Sequence, residues 1–208
     1  MKVGGEYTFE GPQQMVWETL LDPTVLASVL PGCEKLELVG EDEYEGALKI
    51  KVGPVQGQFM GKVKLEDIQP PDSYTMQVDG RGAPGFVKAT GHLKLQADGA
   101  NTQVTYEGEA QVGGRLASVG QRLMESSAKA IIKQSLDGLN AAVKSRGSAA
   151  AAGVDAPPPP KVEAPSQAEF AATIAKEVAK DLIPPWLRYA IGAAVAVGLA
   201  YLVYTLIG

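Results

Sequence analysis

The chain has 208 residues, one cysteine, one histidine and a net charge of −5 from 19 basic and 24 acidic side chains. Such a length holds one domain and a tail. Residues 1–147 are acidic by themselves, with 15 basic and 19 acidic side chains, which excludes the basic patch that nucleic-acid binding requires. A lone Cys33 excludes an intramolecular disulfide and fits a reducing compartment.

The opening MKVGGEYTFEG has no apolar run of the kind found in a secretory leader, and it reads as a strand. GPQQMVWETLLDP follows with a helical period in Met15, Val16, Trp17, Leu20 and Leu21; Pro12 suits a first turn and Pro23 breaks the pattern. TVLASVLPG predicts a second short helix, stopped by Pro31-Gly32.

Then a period of two takes over. Five sets share one face: Tyr44 to Val52, Val55 to Leu65, Tyr74 to Gly80, Val87 to Leu95 and Val104 to Val112. The opposite face carries Lys49, Lys51, Lys62, Lys64, Gln77, Lys88, Lys94, Glu107 and Glu109. This alternation predicts antiparallel strands wet on one side. Short turns at Gly53-Pro54, Pro70-Pro71-Asp72 and Asp98-Gly99-Ala100 join them. Six glycines, Gly46, Gly57, Gly61, Gly80, Gly91 and Gly108, fall on the inward face. Glycine weakens a strand, so they mark either sharp curvature or a cavity, and the two are compatible.

After Gly113-Gly114 the period returns to 3.6, with Leu116, Val119, Leu123, Met124, Ile131, Ile132, Leu136 and Leu139 on one stripe. A helix of about eight turns is expected, too long for anything but a large surface. The order of elements predicts an α+β domain over residues 1–146, a curved antiparallel sheet wrapped around a long C-terminal helix.

Residues 147–165 (GSAAAAGVDAPPPPKVEAP) read as an Ala/Pro-rich linker. Residues 166–183 read as an amphipathic helix, with a Ser166/Glu169 capping box and a stripe of Phe170, Ile174, Val178 and Leu182. That stripe suits a membrane surface, a partner or the domain itself. Residues 186–208 read as a transmembrane anchor, because Tyr189 to Gly208 carry no charge and about 20 helical residues span a bilayer core. Trp186, Tyr189, Tyr201 and Tyr204 suit the two interfaces, and Arg188 on the near side orients the domain to the cytoplasmic face.

Catalytic chemistry has little support. His92 falls on the wet face, and Cys33 sits in a turn beside Glu34, which would not activate a thiol. Gly80 to Gly85 fits G-x-G-x-x-G but leads into a strand, so no helix N-terminus awaits a phosphate. Ser126 to Lys129 fits S-x-x-K without its companion motifs. Arg81 is a candidate polar anchor at a cavity mouth.

GEYTFEGP, VWETLLDPTVLASVLPGCEKLE and GGRLASVGQRLMESSAKAI resemble the CoxG family of carbon monoxide dehydrogenase subunits, in order over residues 1–146. The block Asp22, Pro23, Leu26, Leu30, Pro31, Gly32, Cys33 carries most of the specificity. The resemblance implies a START-like, helix-grip fold that holds apolar ligands between helix and sheet. It also implies a membrane-associated accessory of a molybdenum-containing CO dehydrogenase.

On that basis the expected protein is a non-enzymatic carrier without covalent cofactor. It takes an apolar membrane ligand, a respiratory quinone first, and couples the dehydrogenase to the membrane. An adaptor with a packed interior and a cyclase-like enzyme acting on a lipid-like substrate are the alternatives. The expected pocket is Leu26, Val29, Leu48, Phe59, Met76, Val78, Tyr106, Val119, Leu123, Met124 and Ser127, with Gly61 and Gly91 making room.

Overall fold

The period-two segments form one sheet. The computed structural model describes residues 1–152. In chain order these are β1 (Lys2–Phe9), α1 (Gln13–Leu21), α2 (Pro23–Val29), β2 (Cys33–Gly40), β3 (Glu43–Val52), β4 (Val55–Gln69), β5 (Ser73–Gly82), β6 (Gly85–Asp98), β7 (Asn101–Gly114), a 3-10 turn (Arg115–Val119) and α3 (Gln121–Ala152). The strand order is β1-β7-β6-β5-β4-β3-β2, antiparallel throughout. Each hairpin joins neighbours, and β1 closes onto β7 at the far edge.

The inward residues stack in rows across the strands. One row is Tyr44, Val63, Val78, Ala89, Ala110; the next toward the β3–β4 hairpin begins Gly46, Gly61, Gly80. Register shifts at Cys33/Lys35, Leu38/Gly40 and Glu66/Gln69 bend the strands they interrupt.

Three features depart from the sequence expectation. Cys33 opens edge strand β2 rather than sitting in a turn; β2 is exposed along most of its length, so it shows no clean alternation. The long helix starts at Gln121, because Gly114 (φ 76°) and Gly120 (φ 88°) take left-handed conformations around a 3-10 turn. It also runs on to Ala152, past the expected boundary at 146. Alanine is the best helix former, and Ala149 is buried, so the Ala run extends the helix instead of starting a linker. The remaining linker, the helix at 166–183 and the anchor at 186–208 lie outside the described residues, as do Trp186, Arg188, Tyr189, Tyr201 and Tyr204. No helix among the described residues is long and apolar enough to cross a membrane.

The main core joins α1, α2 and α3 to the sheet through Phe9, Val16, Trp17, Val25, Val29, Leu95, Val104, Leu139 and Val143. A second cluster, Val52, Phe59 and Leu116 with half-buried Val119, Leu123 and Met124, closes the end near the β3–β4 hairpin.

Asp22 caps α2 by accepting from the backbone N–H of Thr24 (2.9 Å) and Val25 (3.3 Å), with Pro23 in the first turn. Its other oxygen pairs with Arg146 of α3, which also donates to Thr19 Oγ1 (3.2 Å). Burial opposes ionisation of Asp22, but Arg146 and the two backbone donors outweigh it and hold the carboxyl below the usual range. A depressed folded-state pKa means the stabilisation is complete above about pH 4 and disappears as pH falls through the lower folded value. Arg146→Met is therefore expected to lose about 1–2 kcal/mol at pH 7 and to show a flatter stability profile between pH 5 and pH 2.5 in urea unfolding. Parallel profiles for the two proteins would show that the pair contributes nothing.

Candidate functional site

Between α3 and the concave face of the sheet lies a cavity of about 400 Å³. Leu20 and Leu21 of α1 and Leu26 and Leu30 of α2 line one side. The sheet contributes Leu36, Tyr44, Val63, Leu65, Tyr74, Met76, Val78, Ala89, Gly91, Leu93, Val104 and Tyr106. The helix α3 contributes Ile131, Ile132, Ser135, Leu136 and Leu139. The surface is almost wholly apolar, and two of its hydroxyls are turned to backbone. Tyr44 Oη donates to Leu21 O (2.8 Å) and Ser135 Oγ to Ile131 O (2.9 Å). Burial raises the phenol pKa of both Tyr44 and Tyr74, so each is neutral at any ordinary pH. Glu107 and Glu109 border the space, but the alternation of β7 sends their side chains to the other face, where Glu109 meets Lys2 at 2.8 Å.

A wider, more open depression of about 1390 Å³ adjoins the cavity and shares Val3, Tyr44, Val63, Val78 and Ala89 with it. Most of its other lining residues are charged or polar, including Lys62, Asp79 and Lys88, and the two spaces also share Glu107 and Glu109. An apolar molecule therefore favours the smaller space.

Five of the expected residues, Leu26, Met76, Val78, Gly91 and Tyr106, line the cavity. The others stand elsewhere. Val29 is packed into the main core at 1% exposure. Leu48 pairs with Phe59, and Phe59, Val119, Leu123 and Met124 belong to or pack on the second cluster. Ser127 is buried on α3 between that cluster and the cavity. For Leu123 and Met124 the displacement has a physical cause in the helix start. Because α3 begins only at Gln121, its first turn is used to close the hairpin end, and the hollow sits under Ile131 to Leu139. Those residues belong to the same apolar stripe in the sequence, but the stripe does not say which of its turns lies over empty space.

The six inward glycines divide. A Cβ at Gly57 would meet Pro84 Cγ at 2.4 Å, at Gly46 Lys35 O at 2.7 Å and at Gly108 Thr90 O at 3.0 Å. These three permit close approach and bending. At Gly91 a Cβ would meet Met76 Cγ at 3.1 Å, the flexible end of a side chain that lines the cavity. At Gly61 and Gly80 it would meet only neighbouring backbone, no nearer than 3.8 Å, and no side chain. Of the six, Gly91 and Gly108 border the cavity, whereas Gly61 and Gly80 lie in the next row, outside its lining.

None of the residues of the discounted motifs lines the cavity. His92 is exposed and lies 3.0 Å from Thr75 Oγ1 on the outer face. Cys33 Sγ donates to Lys35 O at 3.5 Å. Gly80 to Gly85 spans the β5–β6 hairpin, and Ser126 Oγ donates to Arg122 O (2.9 Å). Arg81 does not reach the cavity: it stands on the outer face, bound to Asp79 Oδ1 at 3.2 Å, and that partner raises its pKa.

Comparison with known proteins agrees with this geometry. No curated protein matches the chain in sequence. Among solved structures, a conserved protein from Geobacillus kaustophilus is 35% identical with a TM-score of 0.68, over 70% of this chain and 97% of that one. The ZhuI aromatase/cyclase from Streptomyces sp. R1128 (16% identity, TM-score 0.56, 72% and 97% coverage) and a START superfamily protein from Mycobacterium smegmatis (9%, 0.54, 69% and 97%) share the fold. The family model for the CoxG subunit of carbon monoxide dehydrogenase matches residues 5–144, so the chain belongs to the CoxG family, and its sheet and long helix share the fold of that START superfamily protein.

Proposed function

We propose that the protein is a membrane-tethered carrier that holds an apolar membrane ligand, a quinone before others, in the cavity between α3 and the sheet, and serves a CO dehydrogenase. The single observation that carries this is a 400 Å³ space lined almost wholly by carbon in a domain otherwise packed around buried Phe9, Val16 and Val104. An adaptor that only docks an enzyme has no use for such a space, since filling it would stabilise the fold. A cyclase-like enzyme would need acids or bases aimed at its substrate, and the alternation of the strands turns Glu107, Glu109, Lys88 and His92 outward. A dehydrogenase must pass its electrons on, and the mobile acceptor of a membrane is a quinone, whose isoprenoid chain suits an apolar slot. The uncharged segment at 189–208 supplies the tether, and the linker before it keeps the domain at high local concentration near the bilayer.

The test is extraction. The full chain, purified from membranes in mild detergent, is expected to release about one equivalent of quinone into organic solvent. A chain that binds the dehydrogenase but releases no apolar molecule would favour the adaptor. Deleting residues 184–208 is expected to move the protein to the soluble fraction; retention on the membrane would make the stripe Phe170 to Leu182 the anchor.

A further inference from the structure

Ser127 is 1% exposed, and among the described residues its Oγ is the buried side-chain oxygen without a hydrogen-bond partner. A buried hydroxyl in a helix ordinarily donates to the carbonyl four residues back. Ser126 and Ser135 on the same helix do this, each at 2.9 Å. Ser127 does not. Along α3 it stands on one rail with Leu123, Ile131 and Ser135, at four-residue intervals. Ile131 and Ser135 line the cavity, and Leu123 packs into the cluster that closes the hairpin end. Ser127 is thus one helical turn beyond the cavity's present limit, at the boundary of the two clusters.

The sheet has a matching boundary. The row Gly46, Gly61, Gly80 separates the cavity row Tyr44, Val63, Val78 from Phe59 of the second cluster. Above Gly61 and Gly80 no side chain lies within 4 Å of where a Cβ would be. An unpartnered hydroxyl on the helix and a stretch of sheet without side chains of its own therefore occur at the same end of the hollow, one row and one turn beyond the residues that line it. A hydroxyl buried without a partner is costly, so its persistence in a packed helix asks for an occasional partner.

The geometry points to Ser127 as the hydrogen-bond donor of a polar subsite: an apolar ligand's carbonyl-type acceptor sits beside Ser127 over Gly61 and Gly80, and its chain runs along α3 toward Leu139. This rests on the carrier reading above and names the chemistry of the ligand's head. Ser127 to Leu139 spans twelve residues of helix, about 18 Å, so the ligand is elongated, with one polar end and a long hydrocarbon end. Recognition through a single neutral donor suits a ring carbonyl and disfavours a charged headgroup, which would be left unpaired in this surface.

The probes are a decyl-substituted benzoquinone and decylbenzene, which has the same chain without a carbonyl, each presented to the full chain from detergent micelles. The protein-bound fraction is measured after gel filtration. Ser127→Ala is expected to weaken the quinone about fivefold to tenfold and leave decylbenzene within about twofold. It is also expected to raise the Tm of the ligand-free protein by about 2–4 °C, because a buried unpaired hydroxyl is removed and alanine favours helix. Unchanged quinone affinity, or equal loss for both probes, overturns the subsite while leaving the carrier reading intact. Failure of the wild-type chain to bind either probe overturns the carrier reading and the subsite with it.

Discussion

Gly61→Leu is expected to lower the affinity for the proposed apolar ligand by about fivefold or more while leaving the fold and the proposed membrane attachment unchanged. A Cβ at this position meets nothing nearer than Asp79 O at 3.8 Å, so the backbone accepts a side chain. Leucine projects from the concave face into the row beside Val63 and Val78, which line the cavity. Forcing a bulky ligand to share that space costs about 1–3 kcal/mol, the usual range for overpacking. The folded protein loses nothing comparable, since glycine is a poor strand residue and leucine raises strand propensity. The control is Gly57→Leu, whose Cβ would meet Pro84 at 2.4 Å. That variant is expected to lose stability, whereas Gly61→Leu keeps its Tm. Undiminished uptake by Gly61→Leu would place the ligand elsewhere on the protein.

The contrast between Gly57 and Gly61 also shows where reading the chain by itself stops. The period of two names the inward residues of β3 to β7 correctly, because one face of an antiparallel sheet is buried and the other is wet. It cannot say what stands opposite each one. Gly57 and Gly61 occupy equivalent positions in β4, yet Pro84 of the β5–β6 hairpin covers only the first. The same holds for α3. Leu123 and Ile131 share one apolar stripe, but the 3-10 turn ended by Gly120 sets the helix register so that Leu123 packs at the hairpin end and Ile131 faces the hollow. Edge strand β2 escapes for a different reason: with most of its side chains exposed, no pressure imposes alternation on CEKLELVG. The capping of α2 by Asp22 with Pro23 follows from local rules, while the partnership of Asp22 with Arg146 joins residues 124 positions apart and leaves no local trace.

Trp17→Ala tests whether the helical side of the cavity is a rigid wall. Trp17 is 5% exposed on α1 and meets Tyr74 of β5 edge-on, with ring centroids 5.6 Å apart and planes at 76°. Truncating a buried tryptophan costs about 3–5 kcal/mol, a large part of the 5–15 kcal/mol that holds a domain together. The aromatic pair adds to the loss, because Tyr74 loses its neighbour and lines the enlarged void. Leu20 and Leu21, on the next turn of α1, line the cavity, so loosening α1 also loosens its wall. The ligand-free variant is expected to unfold at a Tm about 6–20 °C lower, or not to fold at 37 °C. A ligand that binds only the folded state restores stability in proportion to the logarithm of its concentration over Kd. Saturating decyl-benzoquinone is therefore expected to raise the Tm of wild-type and Trp17→Ala alike, by about 4 °C or more once the ligand exceeds Kd a hundredfold. A drop in Tm that the quinone does nothing to reverse in either protein would mean that Trp17 supports a closed core, and that the space beside Leu20 and Leu21 is a packing defect and not a binding site.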